Sequence, residues 1–192
     1  MVKLLVFAGS NRTGSFNGQL AAEAARTLAV MGADVTLISL KDYPLPLMDE
    51  DLEAAEGIPD NALKLGRMIA AQDGLFIACP EYNSSITPLL KNTIDWVSRI
   101  STLDGRPSKP WRGKVVALGS ASNGQFAGIR GLPHVRSVLQ NVGTQVVSEQ
   151  CSVSSAAQAF GDDGRLVGER QSAMLEAACR SLVAHAKVRV LP

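Results

Sequence analysis

The chain is short of the residues that reactive chemistry most often uses. It has three cysteines, Cys79, Cys151 and Cys179, and two histidines, His134 and His185, in 192 residues. The cysteines lie far apart and form no Cys-x-x-Cys pair, and an odd number excludes a complete disulfide framework. That usage fits a reducing, cytoplasmic compartment. With no Cys/His cluster at ligand spacing, no metal site is expected. No Gly-x-Ser-x-Gly elbow is present to expose an activated serine. An excess of charge is missing too: 19 basic and 18 acidic residues leave a formal net charge of +1. Nucleic acid and anionic membranes select a basic patch, so neither is an expected partner. No apolar run is long. The first, Leu4–Ala8, is too short for a signal-peptide core or a membrane span. Internal repeats and low-complexity segments are absent. What remains is a soluble, intracellular chain read as one domain, 1–192, long enough to bury a core without disulfides or metals.

What is present is alternation. Short apolar, β-branched runs occur at Lys3–Ala8, Asp34–Leu40, Gly74–Cys79, Lys114–Ser120 and Gln145–Ser148. Unbroken runs such as LLVFA and LFIAC suit strands buried on both faces, as in parallel sheets. Between them, Asn17–Met31 carries apolar residues at 20, 21, 24, 25 and 28, one face of a helix. Asn61–Gln72, Pro88–Ser98, Gly128–Asn141 and Arg170–Ala186 read likewise. Thr87 is placed to cap the helix that Pro88 opens. Gly32 and Gly143 are placed to end theirs. Asp49, Glu50, Asp51 and Glu53 read as a solvated loop or a helix start. Cys79 reads as core, Trp96 as core or subunit interface, and Lys91–Asp95 as a pair along a helix.

Strand and helix alternating five times predict an α/β doubly wound sheet with helices on both faces. Five strands favour the flavodoxin-like order 2-1-3-4-5. Ligands in such sheets bind beyond the carboxyl ends of the strands, where the order reverses. The turns after strands one, three and four therefore matter most.

The first turn, GSNRTGSFN (Gly9–Asn17), leaves a strand and opens a helix, so its backbone N–H groups can converge on an anion. Ser10 and Ser15 add hydroxyls, and Arg12 adds a fork suited to phosphate. Asn17 can cap the helix or reach a ligand hydroxyl. The turn is neither Gly-x-Gly-x-x-Gly nor a P-loop, since no lysine follows its second glycine. From this turn alone, a phosphate site and a capped, solvated turn are equally good readings. The second turn is CPEYNSSIT (Cys79–Thr87). Pro80 restrains it, Asn83 tolerates positive φ, and Tyr82 offers a flat face with a polar tip. The third, GSASNGQFAG (Gly119–Gly128), is small and polar, and permits close approach of a ligand.

At these turns the sequence resembles the NAD(P)H-dependent FMN reductases, which include bacterial flavin, quinone, chromate and azo-dye reductases. The segments that carry the resemblance are GSNRTGSFN, PEYNSSITPLLKNTIDW (Pro80–Trp96) and GSASNGQFAGIR (Gly119–Arg130). The resemblance implies a flavodoxin-like fold with FMN as cofactor. It implies the phosphate at Ser10, Arg12, Ser15, Phe16 and Asn17. Pro80, Glu81, Tyr82, Asn83 and Ser84 would follow the ribityl chain and ring, with Ser120 and Ser122 beneath or beside it. It also implies that NADPH or NADH passes a hydride to FMN. Two electrons then go to a flavin, quinone, azo or similar small acceptor in a ping-pong cycle. No protein acid, base or nucleophile is assigned, because the cofactor carries the chemistry. A homodimer or homotetramer is implied, to which Arg130 and the Ser101–Arg112 segment could contribute. Two positions depart from the family pattern: Ser84 and Ala127 stand where glycine is frequent. Two other readings stay open: a non-enzymatic flavodoxin-type carrier, and a flavodoxin-like hydrolase or transferase without flavin. Carriers of that type tend to be strongly acidic, and this chain is not.

Overall fold

A computed structural model describes residues 1–190. Its centre is one parallel sheet of β1 (Lys3–Ala8), β2 (Asp34–Leu37), β3 (Gly74–Ala78), β4 (Val115–Ala121) and β5 (Gln145–Val153). The strand order is 2-1-3-4-5, as the alternation predicts. Leu5 stands opposite both Thr36 of β2 and Leu75 of β3, and Phe76 opposite Ala117 of β4.

The helices are α1 (Phe16–Val30), α2 (Glu50–Glu56), α3 (Asp60–Ala70), α4 (Pro88–Arg99), α5 (Gly131–Asn141), α6 (Ala156–Ala159) and α7 (Glu169–Val190). Successive strand residues point to opposite faces, and that splits the core in two. Leu4, Val6 and Phe76 pack with Leu20, Leu28 and Leu182 of α1 and α7. Leu5, Phe7 and Ile77 pack with Leu65, Ile94 and Leu132 of α3, α4 and α5. Both faces of β1, β3 and β4 are therefore covered, which is why those strands read as unbroken apolar runs.

Caps define several boundaries. The Thr87 hydroxyl accepts from Leu90 N–H, and Gly32 and Gly143, at φ 81° and 90°, follow α1 and α5. Asp49 caps α2 through Asp51 and Leu52 N–H, so the acidic run is a helix start. Trp96 is buried and donates to the Pro46 carbonyl at 2.8 Å; Lys91 pairs with Asp95 at 2.7 Å. All three cysteines are buried and free. Burial pushes the thiols of Cys151 and Cys179 up to about 12 and raises Cys79 as well, so none is a thiolate at neutral pH. Among the described residues no helix is long and apolar enough to cross a membrane.

The structure corrects several boundaries. β2 ends at Leu37 rather than Leu40, because Leu40–Asp42 tightens into a 3-10 turn that buries Leu40. β5 runs to Val153 rather than Ser148. Its register against β4 shifts between Val116 and Leu118, and that bulge interrupts the period that sequence patterning follows. α5 starts at Gly131, not Gly128, because Ala127 and Gly128 hold φ of 50° and 74°, which no right-handed helix admits. Two short hairpins had no signal in the periodicity: Glu81–Tyr82 with Ser85–Ile86, and Thr102–Leu103 with Arg106–Pro107.

The first hairpin has a two-residue turn, Asn83–Ser84, with φ of 51° and 64°. Positive φ at both central residues is the turn that matches strand twist, and it favours Asn-Gly. A serine there bears a left-handed cost that glycine does not, partly offset by glycine's greater freedom when unfolded. Ser84→Gly is therefore expected to stabilise the protein by roughly 0.5–1.5 kcal/mol, read as a raised denaturant midpoint at unchanged slope.

Candidate functional site

The carboxyl ends of β1, β3 and β4 release three turns side by side. Each is joined to the other two by hydrogen bonds. Gly9 N–H donates to the Ala78 carbonyl at 2.8 Å, and the Thr87 hydroxyl donates to the Gly9 carbonyl at 2.9 Å. A Cβ on Gly9 would lie 3.0 Å from Leu90 and 3.4 Å from Pro80, so the first turn rests directly on the second. Asn17, buried at the start of α1, joins the first turn to the third. Its Nδ2 donates to the Ala121 carbonyl at 2.9 Å, and its Oδ1 accepts from Ala121 N–H at 3.0 Å. The second and third turns meet through Glu81. One carboxylate oxygen accepts from Gly131 N–H at 3.0 Å, and the other pairs with Arg130 at 3.3 Å. That places a negative charge at the N-terminus of α5, where the helix dipole favours it. Cys79 N–H closes the set on the Gly119 carbonyl at 2.7 Å.

The first turn is built to receive an anion. Ser15, with extended backbone, caps α1 by accepting from Gly18 N–H at 3.4 Å, the role the sequence also offered to Asn17. Ser10 accepts from Arg12 N–H at 3.3 Å. Both hydroxyls keep a proton to donate. The N–H groups of Thr13, Gly14, Phe16 and Asn17 have no acceptor among the described residues. A helix leaves its first amides unpaired and at its positive end, and here the preceding turn adds two more. The Arg12 guanidinium lies 5.2 Å from the centre of the Phe16 ring, touches the Thr13 carbonyl at 3.4 Å, and has no carboxylate partner among the described residues. A phosphate monoester fits this donor set.

The other predicted residues fall into two groups. Tyr82, Asn83 and Ser84 form the hairpin tip beside the site, with Tyr82 55% exposed. Pro80 is buried beneath Gly9. Ser122 accepts from Gly124 N–H at 3.2 Å and shapes the third turn. Ser120 is fully buried and its hydroxyl has no partner among the described residues. A Cβ on Gly128 would lie 1.9 Å from that hydroxyl, so only glycine fits above it. The third turn thus covers that hydroxyl, which is closed off from any ligand rather than set beneath or beside one. Asn17 and Glu81 are different: their side chains are fully used in joining the turns, so toward a ligand Asn17 offers its backbone N–H.

Sequence reasoning missed the partners. Ala121 and Gly131 act through backbone groups that no motif displays, and Thr13 and Gly14 contribute amides alone. Nothing in the sequence pointed to Arg130 as the partner of Glu81, because the helical reading Gly128–Asn141 placed it inside a helix. His134 of α5 bonds Ser85 of the first hairpin at 2.8 Å, and His185 bonds its own helix at the Ser181 carbonyl. No group of three His, Cys, Asp or Glu able to hold a metal occurs among the described residues. Burial lowers the pKa of Lys114, whose ammonium donates to the Ala70 and Gln72 carbonyls, at the opposite end of β4 from the turns.

Comparison with known proteins shows the family and the fold. Residues 2–158 match the model of a family described as NADPH-dependent FMN reductase. An NAD(P)H-dependent FMN reductase of Pseudomonas aeruginosa is 33% identical over 182 residues, 94% of this chain and 93% of that protein. A quinone reductase of Escherichia coli is 34% identical over 148 residues, 77% of this chain and 74% of the relative. Among solved structures, the flavoenzyme NAD(P)H:(acceptor) oxidoreductase FerB of Paracoccus denitrificans superposes with a TM-score of 0.80 at 27% identity, covering 98% of both chains.

Removing the Asn17 carboxamide leaves a buried N–H and a buried C=O of Ala121 without partners. Asn17→Ala is expected to cost about 2–4 kcal/mol of stability, measured by urea denaturation. A loss under about 0.5 kcal/mol would mean that Asn17 does not join the turns.

Proposed function

The chain belongs to the NADPH-dependent FMN reductase family and is an oxidoreductase, and from that premise we propose that FMN lies across the three turns. When bound, FMN would supply the two-electron redox chemistry that links NADPH or NADH to a flavin, quinone, azo or similar small acceptor in a ping-pong cycle. The observation that carries the placement is the first turn: N–H groups without acceptors, beside an arginine without a carboxylate, among the described residues.

The chain's own residues bind and orient. The amides of Thr13, Gly14, Phe16 and Asn17, with the Ser10 and Ser15 hydroxyls and Arg12, hold the phosphate. Pro80 and the Asn83–Ser84 turn line the path of the ribityl chain. Ser122 bounds the ring on the third-turn side, with Ser120 buried behind Gly128. Tyr82, Phe126 and Ile129 are all exposed along the second and third turns. They give a planar acceptor an apolar rim, and the same patch suits contact between copies in a homodimer or homotetramer. No side chain is required as acid, base or nucleophile. The buried, un-ionised cysteines fit a cytoplasmic protein.

The test is anaerobic. Protein loaded with FMN receives one equivalent of NADPH or NADH while the oxidised-flavin absorbance is followed. Rapid bleaching, restored by a quinone, is the expected result. A yellow protein that keeps its absorbance with both nucleotides is a carrier, and a protein that takes up no FMN contradicts the placement. Arg12→Ala is expected to weaken FMN binding by roughly 1.5–3 kcal/mol, the scale of a charge-assisted hydrogen bond. An unchanged FMN affinity would remove Arg12 from the phosphate site.

A further inference from the structure

At the amino end of β4, opposite the three turns, other residues meet around a cavity of about 280 Å³. Its lining comes from the ends of α4 and α5 and from Lys109–Arg112, the segment that leads into β4. That volume lies just below the range of drug-sized ligands, so it suits a small molecule. Pro110, Trp111 and Val142 make the apolar part of the wall. Lys109 and Arg112 bring its charge, and no carboxylate lines it among the described residues.

The backbone brings the two bases together. Arg112 N–H donates to the Lys109 carbonyl at 2.9 Å, closing a tight turn over Pro110 and Trp111. The ends of such a turn lie within about 7 Å of each other. Lys114 N–H donates to the Trp111 carbonyl at 3.1 Å, and Gly113 N–H to the Gly143 carbonyl at 2.8 Å, which fixes the turn against the end of α5. The Arg112 stem lies on Gly143, where a Cβ would meet its Cγ at 3.4 Å. Two like charges so placed repel. Neither forms an ion pair among the described residues, whereas Lys91 and Arg99 of α4 both do. Between the two, Trp111 is 2% exposed, and its indole N–H has no acceptor among the described residues. A buried donor left so carries a desolvation cost. The carbonyl ends of α4 and α5 favour cations close by, which accounts for the bases but not for the unpaired indole. An oxyanion accounts for both.

We propose that this cavity binds a small organic acid, with its carboxylate or phosphate between Lys109 and Arg112 and its apolar body against Pro110, Trp111 and Val142. The oxyanion offsets the repulsion between the two cations and brings the indole N–H the acceptor it lacks. The site stands at the far end of the sheet from the Ser10–Asn17 turn, so the acid and FMN are held at the same time.

The test is calorimetry on FMN-loaded protein cleared of excess FMN, with benzoate and phenyl phosphate as probes and benzyl alcohol as the neutral control. At least one of the anions is expected to bind about tenfold or more tightly than the alcohol, the scale of one charge-assisted contact. The tighter of the two identifies the headgroup. Lys109→Gln and Arg112→Gln keep most of each stem and remove the charge. Each is expected to weaken that binding by about tenfold or more, with the flavin absorbance unchanged. Binding of neither anion, equal binding of the alcohol, or an affinity unchanged in either variant overturns the proposal, and the bases then serve only the helix ends. Release of FMN by the anion also overturns it, because the probe then competes for the first turn. A protein that takes up no FMN shows that in its absorbance before any probe is added. The same titration still reads Lys109 and Arg112, which lie outside the three turns.

Discussion

The carboxamide of Asn17 and the backbone of Ala121 exchange two hydrogen bonds across 104 residues of chain. The site depends on that pairing. It is buried, so neither partner can take water in exchange without cost. It sets the distance between the start of α1 and the end of β4, and with it the width of the gap between the first and third turns. Glu81 does the same between the second and third turns, and the Thr87 hydroxyl between the first and second. Three turns from distant parts of the sequence behave as one rigid rim, and the ligand-facing groups are what remains after the joining is done.

The sheet makes such joining possible. Because β1, β3 and β4 are adjacent and parallel, their carboxyl ends emerge together. Because both faces are covered by helices, those ends cannot splay without opening one of two cores. The two departures from the family's glycine pattern, Ser84 and Ala127, both sit at left-handed φ, 64° and 50°. The backbone shape is kept although the residue best suited to it is not. Strain of that kind persists where the surroundings over-determine the conformation, which agrees with turns held from several sides.

Much of this was readable in the sequence, and the reasons are local. Unbroken apolar runs and helical spacing are properties of neighbouring residues, so the strand order, both helical layers and the caps at Thr87, Gly32 and Gly143 follow from them. The anion-binding character of Gly9–Asn17 was legible because serine, arginine and a helix start lie together. Other features depend on contacts that no window contains. The bulge in β5 depends on how β4 pairs with it. The roles of Asn17 and Glu81 depend on backbone groups more than 40 residues away. For that reason sequence motifs pointed to both residues as ligand contacts, whereas their side chains hold the rim.

The central claim is that the rim is formed before the ligand arrives. Amide hydrogen exchange, resolved by residue with and without FMN, tests it most directly. The account predicts that the amides of Ala121, Cys79 and Gly131, already paired within the protein, exchange slowly in both states. Those of Thr13, Gly14, Phe16 and Asn17 are slowed only when FMN is bound. Fast exchange at Ala121, Cys79 and Gly131 without FMN, slowed on its addition, would show that the ligand assembles the turns and would contradict the account. So would amides in the first turn that FMN leaves unprotected.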